Sequence, residues 1–178
     1  MKTVQQIRKI VGIAMLVCGW AVAVHVLSGF LGLAPEFLGN VLAPCWLLMV
    51  PLSLAHALLA LAGGADWRER LRRSMVMKFQ LAPFFAANFL IGVSGAAAFF
   101  LGGLLLTYLA IFISYLALLA TSVDVIHALA ILRKEERITT FQLVNHVIFQ
   151  LIYCVDVIDA SVLWKNQGKY INPMKWEP

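Results

Sequence analysis

The chain has 178 residues, of which 62% are hydrophobic and 13% are charged, whereas soluble domains have roughly 45–50% apolar and about 25% charged residues. A chain this short cannot bury so much apolar surface in one core, so the composition excludes an ordinary soluble domain and favours the lipid bilayer. The basic residues behind the net charge of +5 cluster at the edges of apolar runs, a membrane-topology pattern that excludes a nucleic-acid-binding surface.

The first predicted element is a membrane span near residues 10–34. Lys2, Arg8 and Lys9 precede this uncharged run. Its apolar part, about 24 residues long, exceeds the roughly 7–15 residues of a secretory signal core. A retained helix is therefore favoured over a cleaved signal.

The second predicted span covers residues 41–62. The turn residues Pro35, Gly39 and Asn40 separate it from the first span. Pro51 lies inside the run, and in a membrane helix it predicts a kink rather than a break.

A basic connection, residues 63–78, follows the second span. We interpret it as a cytoplasmic loop that sets orientation. The alternative is an interfacial helix with Trp67, Leu71 and Met75 beneath a basic face. In either form it offers contacts to anionic lipid: Arg68, Arg70, Arg72 and Arg73.

The next uncharged stretch, residues 79–123, is too long for one span. Its 45 residues correspond to about 67 Å of helix, twice the roughly 30 Å of bilayer hydrocarbon. We place a corner at Gly102-Gly103, which gives spans near 79–101 and 104–132.

A fifth span near 141–164 and a polar tail, 165–178, complete the chain. The predicted fold is therefore an all-α integral membrane bundle of five transmembrane helices in a single domain. With the amino terminus inside and the carboxyl terminus outside, 11 of the 14 basic residues lie on the cytoplasmic side, as the positive-inside rule requires.

Ionisable residues inside the predicted spans are candidate functional groups, because charge inside a bilayer is costly. Counted from the inner ends of the spans, His56, His127 and His146 lie at one depth. Asp124 is one turn from His127 on the same helix face. We predict that these four residues form one inner-leaflet cluster.

A second polar group is predicted in the outer half of the bundle. It contains His25, Asp156 and Asp159. Helix-to-helix hydrogen bonding is the favoured role for both groups. A polar pathway for protons, ions or a small solute, and ligation of haem or a metal by the imidazoles, remain alternatives.

The predicted function is that of a structural or accessory membrane subunit, with a small transporter or proton-coupled channel as the alternative. No catalytic motif was found, so we predict no enzyme activity, no catalytic residues and no cofactor, and the metal question stays open. Small residues four apart, such as Gly19 and Ala23, offer faces for a homo-oligomer or a membrane protein partner.

Three segments resemble a known family: "KFQLAPFFAANFLIG" at 78–92, "TSVDVIHALAILRKEERIT" at 121–139 and "CVDVIDA" at 154–160. They are similar to a family of uncharacterised small multi-spanning membrane proteins of anaerobic Gram-positive bacteria. The resemblance covers roughly the second half of the chain. It implies a multi-pass fold in the bacterial plasma membrane and no transferable activity.

Overall fold

The computed structural model describes residues 2–33, 36–98, 103–153 and 155–171. Seven helices lie in these ranges: α1 (Lys2–Phe30), α2 (Glu36–Ala62), α3 (Trp67–Ala97), α4 (Gly103–Lys134), α5 (Thr140–Leu151), α6 (Val155–Lys165) and α7 (Gln167–Ile171). The fold is therefore all-α over the described residues, as predicted.

The four long helices form an up-down-up-down bundle. α1 packs against α2 and α3, and α4 packs against the same two helices. Gly12 faces Met77 and Gly19 faces Leu81, so α1 and α3 run in the same direction. The start of α1, the α2–α3 connection and the end of α4 consequently share one end of the bundle, which we call the basic end.

Apolar residues cover both the inner and the outer surface of this bundle. Met15, Met49 and Leu81 are among the buried residues of its main core. Ile10, Leu58 and Leu105 are each at least 67% exposed on the outside. A helix that is apolar all round is typical of a large core or a membrane span, and four of these helices are long and apolar enough to cross a membrane.

The third predicted span begins earlier than expected. Residues 67–78, interpreted from the sequence as a loop, are the first three turns of the 31-residue helix α3. Arg70, Ser74 and Lys78 of this segment are buried, because their spacing of four residues puts them on the face that packs into the bundle. The basic stretch is thus a helix with one face in the core, rather than a solvated loop.

The expected fifth span differs from the structure. Instead of one helix over 141–164, α5 has 12 residues and α6 has 11, or about 18 and 16 Å at 1.5 Å per residue. Each is roughly half the length that a bilayer requires. α5 begins with a capping box in which the Thr139 and Gln142 side chains each bond to the other residue's backbone.

α5 and α6 pack against each other, and we call this unit the hairpin. α5 lies along α4 and α6 lies along α3. At the far end of the hairpin, the Tyr153 hydroxyl donates to the carbonyl of Phe85 at 2.7 Å. Near the basic end, Leu163 joins a second core with Trp67 and Leu71. The hairpin therefore enters from the basic end and returns to it.

α7 covers the basic end beside α3. The rings of Trp67 and Tyr170 meet edge to face, with centroids 6.5 Å apart. The Arg137 guanidinium donates to the Tyr170 carbonyl at 2.6 Å. Burial raises the pKa of the Tyr170 hydroxyl, and the negative charge of Asp159 acts in the same direction.

Candidate functional site

The buried charges form two clusters near the basic end. The arginine cluster is Arg8, Arg70 and Asp124, from α1, α3 and α4. Arg8 donates to Asp124 Oδ2, and Arg70 Nη1 lies 3.2 Å from Asp124 Oδ1. All three residues are at most 5% exposed, so both carboxylate oxygens are occupied by guanidinium groups away from water.

Arg70 also closes the end of α2. Its guanidinium donates to the carbonyls of Ala60 at 2.9 Å, of Ala65 at 3.1 Å and of Gly63. The last carbonyls of a helix have no partner within the helix and must find one elsewhere. Arg70 supplies these donors while it neutralises Asp124, and so it joins α2, α3 and α4.

Two histidines lie beside the arginine cluster without completing it. His56 and His127 both interact electrostatically with Asp124. In the described part of the chain, the Nδ1 atom of each is buried and has no hydrogen-bond partner. Each of these two imidazoles therefore keeps one nitrogen that is not used in a hydrogen bond.

The lysine cluster is Lys78, Ser122, Gln150 and Asp156. Lys78, 0% exposed, donates to Ser122 Oγ at 2.9 Å, Gln150 Oε1 at 2.6 Å and Asp156 Oδ2 at 2.7 Å. An ammonium group has three donors, and here every one is used. The acceptors come from α4, α5 and α6, so one side chain of α3 binds all three.

Asp159 and His146 extend the lysine cluster. The Gln150 amide nitrogen donates to Asp159 Oδ2 at 2.6 Å, and His146 Nδ1 lies 2.6 Å from Asp159 Oδ1. Gln150 thus uses its oxygen for Lys78 and its nitrogen for Asp159. The hairpin has a polar interior that is continuous from His146 to Lys78.

This bonding explains why residues 141–164 fold back. In a straight helix, two residues that are nine positions apart are related by a rotation of about 900°, or two and a half turns. Gln150 and Asp159 would then point to opposite sides. The turn between α5 and α6 lets both face each other and Lys78, which satisfies polar groups that are otherwise costly to bury.

A third polar contact lies deeper in the bundle. Trp46 Nε1 donates to Asn88 Oδ1 at 2.9 Å, and Asn88 Nδ2 donates to Ser114 Oγ at 3.0 Å. These residues belong to α2, α3 and α4. They fix the register of the three helices without any formal charge.

The structure groups the predicted site residues differently from the sequence analysis. Asp124 has His56 and His127 near it, but His146 bonds to Asp159 in the hairpin. Asp156 and Asp159, predicted in the outer half with His25, bind Lys78 and Gln150. His25 lies 17 residues beyond Arg8 on α1, about 25 Å along the helix axis.

Four internal partners were not predicted from the sequence: Arg8, Arg70, Lys78 and Gln150. A signal was present in α3, because Arg70, Ser74 and Lys78 continue the same helix face as Leu81 and Phe85. Of the four predicted lipid-binding arginines, Arg70 is only 1% exposed. The other three remain at the surface, with Arg68 over the Trp67 ring and Arg72 and Arg73 near Glu69.

In the ranges that the structure describes, no three side chains of His, Cys, Asp or Glu converge as a metal site would require. A family described as "Family of unknown function (DUF6652)" matches residues 47–169. The chain belongs to this family. The matched region contains the whole lysine cluster and, except for Arg8, the arginine cluster. Neither a curated protein nor a solved structure matches the chain.

Proposed function

We propose that this protein is a multi-pass subunit of the bacterial plasma membrane with a structural or accessory role and no catalytic activity. α1 to α4 would span the bilayer. Their exposed outer surfaces are apolar, as residues such as Leu58 and Leu105 illustrate. Surface of this kind is stable in hydrocarbon and a liability in water.

The pairing of the buried charges in the two clusters is the observation that carries this proposal. The three donors of Lys78, both oxygens of Asp124 and both oxygens of Asp159 have partners. Charges that move ions or protons need free bonding positions and access to water. Charges that hold helices together need neither, and fully satisfied polar networks rigidify a fold.

The distribution of charge supports an orientation with both termini inside. None of the 14 Lys and Arg residues lies between α1 and α2 (31–35) or between α3 and α4 (98–102). With four spans and the hairpin returning to the basic end, the basic residues of the described ranges fall on the cytoplasmic side or in the cytoplasmic half of the bundle. This arrangement replaces the expected fifth span and its outside carboxyl terminus.

The test compares flux with assembly. The purified protein is reconstituted in vesicles, and proton and cation flux is measured beside empty vesicles and vesicles with the Asp124→Asn variant. An accessory subunit gives no flux above the empty vesicles, has a protein mass in mild detergent that exceeds the 19.7 kDa of the monomer after the bound detergent is subtracted, and loses abundance in the variant.

A small transporter is the second candidate, and the unfilled Nδ1 atoms of His56 and His127 beside Asp124 favour it. Proton carriers need groups that can gain and lose a partner. Flux that disappears in Asp124→Asn at unchanged abundance would replace the accessory role with transport.

A further inference from the structure

A cavity of about 310 Å³ opens between α1 and α3 at the basic end. Because α1 and α3 are parallel, their residues contribute to it in the same order. Arg8 and Lys9 of α1 face Arg72 and Arg73 of α3 near the basic end, and Ile13 and Leu16 face Val76 and Met77 further in. We call this cavity the α1–α3 groove; it has a basic part and an apolar part.

The basic part carries a net positive charge. Asp124 is shared by two arginines, and Glu69 is shared by Arg72 and Arg73. Each set therefore keeps one uncompensated positive charge. Lys9, which is exposed and lines the groove, adds another. An anion at this position would be attracted by all of them.

A buried imidazole with an unpartnered ring nitrogen also lines the groove. His56 is 6% exposed, lines the cavity and has an Nδ1 atom without a hydrogen-bond partner. A buried polar atom without a partner costs free energy. In the tautomer that carries its proton on Nδ1, a rotation of the ring toward the groove lets this atom donate to an oxygen of a bound anion.

Gly12 keeps the floor of the groove open. A Cβ atom at this position would lie 3.4 Å from Met77 Cε and 3.7 Å from His56 Cε1. One methyl group would therefore just touch its neighbours, and a larger side chain would occupy the space between the basic and apolar parts.

We propose that the α1–α3 groove binds one anionic phospholipid of the cytoplasmic leaflet. This inference rests on the proposed membrane location. The headgroup phosphate lies among Arg8, Lys9, Arg73 and His56, and an acyl chain follows the apolar part. Ile13 and Val76 are 61% and 42% exposed at the outer rim, so the groove opens sideways, toward surrounding lipid. A soluble phosphate would use the basic part but gain nothing from the apolar one.

The test measures binding to the full-length protein in a neutral detergent. The probes are phosphatidylglycerol, phosphatidylcholine and inorganic phosphate, and the readouts are the thermal unfolding midpoint and native mass spectrometry. We expect phosphatidylglycerol alone to raise the midpoint saturably and to remain bound as one molecule per chain. Lys9→Gln, a surface change, should weaken its apparent affinity about fivefold or more.

Two further variants separate binding from folding. Gly12→Leu fills the groove and should abolish the lipid-dependent shift, whereas Lys134→Gln, which removes an exposed charge at the same end of the bundle, should leave it unchanged. An equal shift with inorganic phosphate would mean a soluble anion site, and equal loss in Lys9→Gln and Lys134→Gln would mean unspecific attraction. Either result overturns the proposal, while a chain that stays soluble without detergent would instead overturn the membrane location.

Discussion

Lys78 has no exposed surface, and its three acceptors lie on three helices other than its own. Removing an ammonium group from water is expensive, so its ion pair with Asp156 adds little net stability compared with an apolar pair of the same size. Loss of one partner alone is a different matter, because the remaining charge stays buried without compensation. Lys78 therefore specifies where the hairpin docks more than it stabilises the fold.

We expect Lys78→Met and Asp156→Leu each to reduce the free energy of unfolding by about 3–5 kcal/mol. The double variant should lose less than the sum of the two single variants, since each charge is the partner of the other. Reversible unfolding in mixed detergent micelles measures all three. Additive losses would show that the two groups do not interact.

The exposed pair of Arg137 and Glu135 is the matched control. Its atoms are also only 2.7 Å apart, but the side chains are 29% and 42% exposed. Solvent screening limits such pairs to roughly 0–1 kcal/mol. Glu135→Leu, which leaves the bond from Arg137 to the Tyr170 carbonyl in place, should therefore have a much smaller effect than Asp156→Leu.

A second double-mutant comparison concerns His146. It bonds to Asp159 and shares no partner with Asp124. Asp159→Asn and His146→Ala should therefore be non-additive in unfolding free energy, while Asp124→Asn and His146→Ala should add within about 0.5 kcal/mol. A coupling between Asp124 and His146 would restore the single inner-leaflet cluster expected from the sequence.

The residues of the site were only partly predictable. Asp124, Asp156 and Asp159 stand out because charge inside an apolar run demands an explanation. Their partners do not stand out. Arg8, Arg70 and Lys78 lie at the edges of apolar runs, where basic residues are expected for membrane topology alone. Whether such a basic residue is a buried partner or only sets topology depends on the direction of its side chain. The neighbouring helices determine that direction.

At the scale of elements, the backbones of α3 and α4 approach each other closely at Gly95 and Gly103. A Cβ atom on Gly95 would lie 2.7 Å from the carbonyl oxygen of Gly103 and 2.7 Å from Thr107 Oγ1. Only a residue without a side chain fits there. The two helix backbones can come this close because glycine places no side chain between them.

Gly95→Ala should accordingly destabilise the protein by about 1–3 kcal/mol through overpacking. Gly92, one turn away, has nothing within 4 Å of its Cβ position. Gly92→Ala should be neutral or stabilising by up to about 1 kcal/mol, because alanine favours a helix. Thermal unfolding in one detergent compares them, and equal effects would argue against the close packing.

The long helices were predictable as elements, and the hairpin was not. Uncharged runs of more than twenty residues predict α1, α2 and α4 by length alone. Residues 141–164 have the same apolar character, but their break depends on bonds from Gln150 to Lys78 and Asp159. A periodicity argument within one segment cannot detect partners on other segments.

At the scale of the whole molecule, an even number of spans places both termini on one side. We expect a reporter that is active only in the cytoplasm to be active when fused after residue 134 and also after Pro178. The positive charge at the basic end and the return of the hairpin are the reasons. A silent reporter after Pro178 would mean that residues 141–164 cross the bilayer in the cell.

The lysine cluster can be completed only late in the synthesis of the chain. Lys78 precedes Gln150 and Asp156 by 72 and 78 residues, which a ribosome takes about 4–16 s to add at typical rates of synthesis. The rest of α3 and the whole of α4 are made during that interval, and neither helix offers the ammonium group a carboxylate partner in the finished fold. Until the hairpin is made, the Lys78 ammonium group therefore has no counter-ion and faces the place where the hairpin will pack. Arrival of the last quarter of the chain completes the fold, so a chain that ends before residue 150 keeps Lys78 without its two acceptors from the hairpin.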